Sequence, residues 1–136
     1  ALRVAEAAGA TGAAFTGASA DPFGWKALRA AMGSSLRLPL VAEAAIAPLL
    51  DALQAAGLRL VATTPRAGEP YDAADYRAPT ALLLGGEGPG LPPDVLARCD
   101  TRVTIPMRPP VESLNVAVTA GLLLYEARRQ RAAARP

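Results

Sequence analysis

The pattern that most constrains this chain occurs twice: an apolar strand runs straight into a loop that cannot continue it. Leu82, Leu83 and Leu84 lead into Gly85, Gly86, Glu87, Gly88, Pro89 and Gly90. Ile105, Pro106 and Met107 lead, through a short loop, into Val111, Glu112, Ser113, Leu114, Asn115 and Val116, where a long helix opens. Open α/β sheets bind ligands outside the carboxyl ends of their strands. Two backbone-rich loops in that position define a candidate small-ligand pocket, with the rest of the chain as its scaffold.

Periodicity and punctuation predict an alternation of helices and strands. Helices are expected over 1–8, stopped by Gly9, over 25–32, stopped by Gly33, and over 43–56, stopped by Gly57. Ala45, Leu49, Ala52, Leu53 and Ala56 would form the apolar face of the third. A short helix begins at Pro92, Pro93 and Asp94 and ends near Cys99, and the longest runs from Ser113, a candidate cap, to about 131. Strands are expected over 13–16, 38–41, 58–63, 80–84 and 102–105, and residues 64–77 read as loop. The unbroken apolar run at 80–84 suggests burial on both faces, as in parallel sheets. Alternating strands and helices predict one α/β domain with a mainly parallel sheet.

At 136 residues the chain is large enough for a single core. Half of it is hydrophobic and 19% is charged, a globular and not a disordered composition. A net charge of +2 neither requires nor excludes nucleic acid. Lys26 is the only lysine; the other basic residues are arginines, which suit phosphates but also match the Ala- and Pro-rich usage of a GC-rich genome. The chain has no histidine and one cysteine, Cys99. That excludes an internal disulfide, a Cys/His zinc site and any His-based catalytic pair; no metal is expected. No segment approaches a membrane span and no signal peptide is visible, so a cytoplasmic location is expected. The chain opens on Ala1 inside a predicted helix, so its N-terminus is expected to be trimmed.

The glycine loop is neither a Walker A loop nor Gly-x-Gly-x-x-Gly, because Leu91 stands where the third glycine would fall. It is either a tight strand-to-helix turn or a loop whose exposed amides and carbonyls read a flat polar ligand. Beside it, Ile105 and Leu114 would line an aromatic ring, and Asn115 both donates and accepts.

Together the two segments resemble motifs 2 and 3 of the SpoU (TrmH) family of RNA 2′-O-ribose methyltransferases, within the SPOUT class. The shared order is Gly-x-Glu-Gly-x-Gly-Leu, then Ile-Pro-Met, then Ser-Leu-Asn-Val-x-Val before a long helix. Leu124, Tyr125 and Glu126 resemble the family's closing helix. Asp21, Pro22, Lys26, Arg29 and Gly33 resemble its upstream loop and helix, and Arg3 resembles the end of motif 1. The Asn and Gly of motif 1 would precede Ala1. Pro109 replaces a usual glycine, and Ala31 a common serine.

The resemblance implies a Rossmann-like α/β domain, spanning residues 1–136, with a C-terminal trefoil knot over about 79–125. It implies S-adenosylmethionine held by Gly85, Ile105 and Leu114, largely through backbone, with Thr63, Gly86 and Met107 lining the same pocket. The reaction would be methylation of a ribose 2′-hydroxyl in rRNA or tRNA. Arg3 would steady the developing alkoxide and a nearby phosphate, since a guanidinium with a pKa above roughly 12 is a poor base. Ser113 and Asn115 would orient the loop and the ribose, and Glu87 would pin the glycine loop. A homodimer is implied, with Val116, Ala120, Leu123 and Leu124 as apolar surface on the closing helix. Arg29, Arg37, Arg108 and the arginines of 128–135 are the candidate RNA contacts. The alternative is a knotted RNA- or ribosome-binding module with little turnover. Nothing in the sequence selects rRNA over tRNA.

Overall fold

The computed structural model describes residues 1–134 except Ala18, Ala20, Glu87 and Pro89, and for Glu43 the backbone alone. The element order is α1 (Leu2–Ala8), β1 (Ala13–Thr16), α2 (Trp25–Ala31), α3 (Ser34–Arg37), β2 (Leu40–Ala44), α4 (Ile46–Ala55), β3 (Arg59–Thr63), β4 (Glu69–Pro70), β5 (Thr80–Leu83), α5 (Pro93–Ala97), β6 (Thr101–Thr104) and α6 (Val116–Ala133). Every strand pair is parallel. β1 and β2 form one pair, and the other four form a sheet in the order β4-β6-β3-β5.

β3 is the middle of the architecture. It pairs with β5 on one edge and β6 on the other. Its side chains alternate between two layers, as strand geometry requires. Val61 points into a cluster with Ala74, Tyr76, Val103, Leu123 and Ala127, beneath α6. Leu60 and Ala62 point the other way, to Leu50 of α4, Leu83 and Val95 of α5. The doubly buried strand is therefore β3 and not 80–84: β5 lies at the edge of its sheet, and only Leu83 in it is fully buried.

Several expectations shift. β2 begins two residues late because the turn of helix α3, unexpected from the sequence, ends at Leu38. β2 then runs to Ala44, so α4 starts at Ile46 and not at residue 43. The face of α4 is also rotated. Ala45, Ala52 and Ala56 are exposed, while Leu50 is buried and Ile46 and Leu53 pack against its cluster. Large aliphatic groups remove more apolar area from water than alanine does, so they take the inward positions.

Residues 64–77 are not simply loop. β4 pairs with β6 there, and Gly68 lies so close to β6 that an added Cβ would stand 2.7 Å from the Val103 carbonyl carbon. Tyr76 is fully buried, its hydroxyl donating to the Tyr71 carbonyl at 2.8 Å. α6 holds this segment through Gln130, whose Oε1 accepts from the Tyr76 amide at 2.9 Å and whose Nε2 donates to the Ala74 carbonyl at 2.8 Å.

α1 is tied to α3 by Glu6, which accepts hydrogen bonds from Arg37 and from the buried Ser34 hydroxyl. Arg37 first, then Ser34, hold its carboxyl down at about 2 from an ordinary 4.5. A depressed folded pKa means stabilisation that is present above the unfolded value and lost as pH falls through the folded one. Glu6→Gln is therefore expected to lower stability at pH 7, with the deficit shrinking between about pH 4.5 and 2. Urea unfolding of both proteins at pH 7, 4 and 2 checks this; a constant deficit across that range would contradict it.

Candidate ligand site at the strand ends

Because β5, β3 and β6 are parallel neighbours, their chain exits lie at the same end of the sheet. The exits are fastened to one another. The Thr63 hydroxyl donates to the Leu83 carbonyl at 3.2 Å, and the Thr64 amide donates to the Val103 carbonyl at 2.9 Å. Beyond them opens a cavity of about 700 Å³. Pockets of roughly 300–1,000 Å³ suit drug-sized ligands and cofactors.

Three loops wall the cavity: Thr63 to Arg66 after β3, the glycine loop after β5, and the run from Ile105 to Asn115 before α6. The glycine loop folds back on itself through an antiparallel bridge between Gly86 and Gly90. At Gly85 an added Cβ would stand 2.6 Å from the Gly90 carbonyl carbon, so the loop closes only with glycine there. At Gly86 a Cβ would meet nothing within 4 Å. The third loop turns at Pro109 and Pro110, joined by a cis peptide.

Of the residues singled out in the sequence, Thr63, Gly85, Gly86, Ile105, Met107, Ser113, Leu114 and Asn115 all line this one cavity. Ile105 can do so because β6 ends at Thr104, one residue sooner than expected. Leu114 is 36% exposed, an apolar side chain held at the mouth without being buried. Asn115, and not Ser113, caps α6: its Oδ1 accepts from the Ala117 amide at 2.8 Å. Ser113 sits two residues too early to reach the first free amides of the helix, so the expected cap is corrected by two positions. Glu87 lies outside the described residues. Arg3 is exposed on α1 and is not among the residues lining the cavity.

Sequence reasoning missed Thr64, Pro65, Arg66 and Glu112. The first three follow Thr63 directly, and the rule that ligands gather at strand ends could have extended to them. Arg66 and Glu112 pair at 2.9 Å between two loops, both highly exposed, a pair worth only ~0–1 kcal/mol in water. Cys99 takes no part. Its thiol donates to the Val95 carbonyl, and burial pushes its pKa up, so it is not a ready nucleophile.

The sequence profile of the SpoU rRNA Methylase family matches residues 1–125. The chain belongs to the SpoU rRNA Methylase family. It is 44% identical over 133 residues to an uncharacterized tRNA/rRNA methyltransferase of Synechocystis, covering 98% of this chain and 48% of the relative. It is 37% identical to the 23S rRNA (guanosine-2′-O-)-methyltransferase RlmB of Ralstonia nicotianae, covering 96% and 52%. Among solved structures it superposes on the SpoU methyltransferase AviRb of Streptomyces viridochromogenes, crystallised with AdoMet, with a TM-score of 0.87 and 36% identity, over 97% of this chain and 54% of that one. The chain thus spans about half the length of these relatives.

The two glycines make opposite demands on the loop. Gly85→Ala is expected to destabilise the domain by about 1–3 kcal/mol through overpacking against Gly90. Gly86→Ala should change stability by less than about 0.5 kcal/mol. Urea unfolding of both variants separates these outcomes.

Proposed function

We propose that this SpoU domain transfers a methyl group from S-adenosylmethionine to a ribose 2′-hydroxyl of rRNA or tRNA. One observation carries the reading: the glycine loop, Ile105 and Leu114, distant in sequence, converge on one cavity at the strand ends. The relatives named as 2′-O-methyltransferases of 23S rRNA and of tRNA support the reaction class, and AviRb crystallised with AdoMet supports the donor. The site fits that donor. It has the volume for a nucleoside, apolar walls for a flat ring, and a self-closed glycine loop that presents main chain where a side chain would intrude.

Gly85, Ile105 and Leu114 would hold the donor, with Thr63, Gly86 and Met107 beside them. When bound it supplies an electrophilic methyl group. The chain's own contribution is placement. Asn115 is fixed at the helix start, so it positions a ribose with little freedom to lose, and Ser113 offers a hydroxyl at the same lip. Glu87 would pin the glycine loop. With no histidine in the chain, the hydroxyl proton passes to solvent or phosphate while Arg3 steadies the developing negative charge.

Arg3 stands outside the cavity of its own chain, so this role calls for a second copy, and we propose a homodimer. The interface differs from the face expected in the sequence. Ala120 and Leu123 are buried in the domain's own core. The open apolar face of α6 carries Val118, Leu122 and Tyr125, at helical spacing, and lines a second cavity of about 730 Å³ with Val4 of α1. The domain boundaries, the trefoil knot and a cytoplasmic location alongside the RNA belong to the same reading. The order β4-β6-β3-β5, in which the chain crosses β3 between β5 and β6, is compatible with such a knot. Among the described residues no helix is long and apolar enough to cross a membrane, and no group of three or more Cys, Asp or Glu could hold a metal ion.

Labelled methyl transfer to total RNA tests the activity. Binding of S-adenosylhomocysteine without transfer would leave a docking module instead. Arg3→Ala and Asn115→Ala are each expected to abolish transfer, and mixing the two should restore about a quarter of the wild-type rate if each site draws on both copies of an isologous dimer. No recovery on mixing would place both residues in one protomer's site. Leu122→Arg should give a monomer by light scattering.

A further inference from the structure

The arginines singled out as phosphate contacts are not equally available. Arg37 is paired with Glu6, and Arg129 with Glu126. Arg128 donates to the Ala7 carbonyl at 2.8 Å, and Arg131 to the carbonyls of Tyr76 and Ala78 at 2.9 and 3.0 Å. Among the described residues of that set, the side chains of Arg29 and Arg108 are left without a hydrogen bond or ion pair.

Arg29 has a different companion. Its guanidinium carbon lies 5.3 Å from the centroid of the Trp25 ring. Trp25 is 64% exposed and Met32 is 65% exposed. Trp25 and Arg29, four residues apart, fall on one face of α2, and Met32 follows its end as the left-handed cap. Lys26 is next to them and makes no ion pair among the described residues. From 22 to 42 the chain holds no Asp or Glu, and Asp21, just before it, accepts from the Phe23 amide at 2.9 Å. A large indole left in water beneath a cation, in a stretch without acidic residues, has little purpose in a core. It matches what a single-stranded nucleic acid needs: a flat surface for a base and positive charge for the phosphates on either side. Trp and Arg also serve protein interfaces, but a stretch that holds cations and no carboxylate suits a polyanion, and Arg108 lies on the loop before α6 that also walls the cavity.

We infer that the exposed face of α2, with Trp25 stacked on Arg29 and Lys26 beside them, is a stacking platform for an unpaired base of the RNA substrate. The inference rests on the methyltransferase reading and names where that enzyme would grip a flanking nucleotide. The platform reads no base identity, since every base offers a π-face.

Trp25 is the only tryptophan in the chain, so its emission reports this face alone. A fluorescein-labelled 12-nucleotide single-stranded RNA, followed by anisotropy, measures binding; the unlabelled RNA, followed by Trp25 emission, measures stacking. The expected result is quenching that tracks the anisotropy curve. Trp25→Ala should weaken binding about 5- to 150-fold, the loss of one stacked base. Trp25→Phe should retain most of the affinity, and Arg29→Ala should lower the salt slope by about one. Binding of S-adenosylhomocysteine should be unchanged in all three. RNA that binds while Trp25 emission stays constant, or a Trp25→Ala affinity within about twofold of wild type, overturns the platform and leaves the methyltransferase reading intact. Emission that shifts with protein concentration in the absence of RNA overturns it in favour of self-association. Failure to bind either RNA or S-adenosylhomocysteine overturns both readings.

Discussion

The structure depends on β3 being hydrogen-bonded along both edges and covered on both faces. Leu60, Val61 and Ala62 are almost completely buried, and they divide between the α6 layer and the α4–α5 layer. A strand in that position cannot slip by one residue without exchanging its two layers. Val61 would then face Leu50, and Leu60 would be driven into the packed space around Tyr76. The register Ala62 to Leu83 and Thr63 to Val103 is thereby held. That register decides where the three loops leave the sheet. The cavity is a consequence of strand pairing before it is a consequence of any side chain in it.

The walls that result are unusual in how little they ask of ionisable groups. Among the described lining residues the charged ones are Arg66 and Glu112, and these satisfy each other in solvent. What remains is main chain, hydroxyls, one carboxamide and apolar carbon. Such a lining suits a ligand recognised by shape and by amide edges, and under the proposed reading the chemistry there would rest on placement. Preorganised orientation can supply many kcal/mol of rate enhancement without a strong base. Asn115 illustrates the coupling of fold to site: the same side chain that accepts from the Ala117 amide in the first turn of α6 stands at the cavity lip. Its orientation is paid for by helix formation.

How much of this could be read in the sequence follows from which signals are local. Glycine and proline punctuation is local, and Gly9 and Gly57 end α1 and α4 as read, with Pro93 opening α5. The two loops were legible for the same reason, since Gly85 and Ile105 lie at the ends of short apolar runs. Choices made by tertiary packing were not legible. Tyr76 sits in a polar, Pro- and Gly-containing stretch, and only the arrival of α6, with Gln130 receiving its amide, makes it core. On α4 and α6 helical spacing offers more than one apolar face, and periodicity alone cannot say which turns inward. On α4 the leucines outweighed the alanines. On α6 Leu123 and Ala127 pack with Val61 and Val103 of the sheet, Ala120 is buried too, and Val118 and Tyr125 are left outside. The cap moved from Ser113 to Asn115 for a comparable reason: either residue type can cap, and the loop's path decides which does.

Charge shows the widest gap between composition and structure. A count of basic and acidic residues treats every arginine alike. Here most of the arginines near the C-terminus act as fasteners. Arg128 reaches the end of α1, and Arg131 closes two carbonyls of the segment that covers Tyr76. A guanidinium suits this work because its forked donors satisfy several carbonyl lone pairs at once, which an ammonium does less well. Each such contact orders a side chain that would otherwise be free to follow a phosphate. The domain's capacity for polyanions is therefore set by the few cations left unfastened and by what surrounds them, and a net charge of +2 carries almost no information about it.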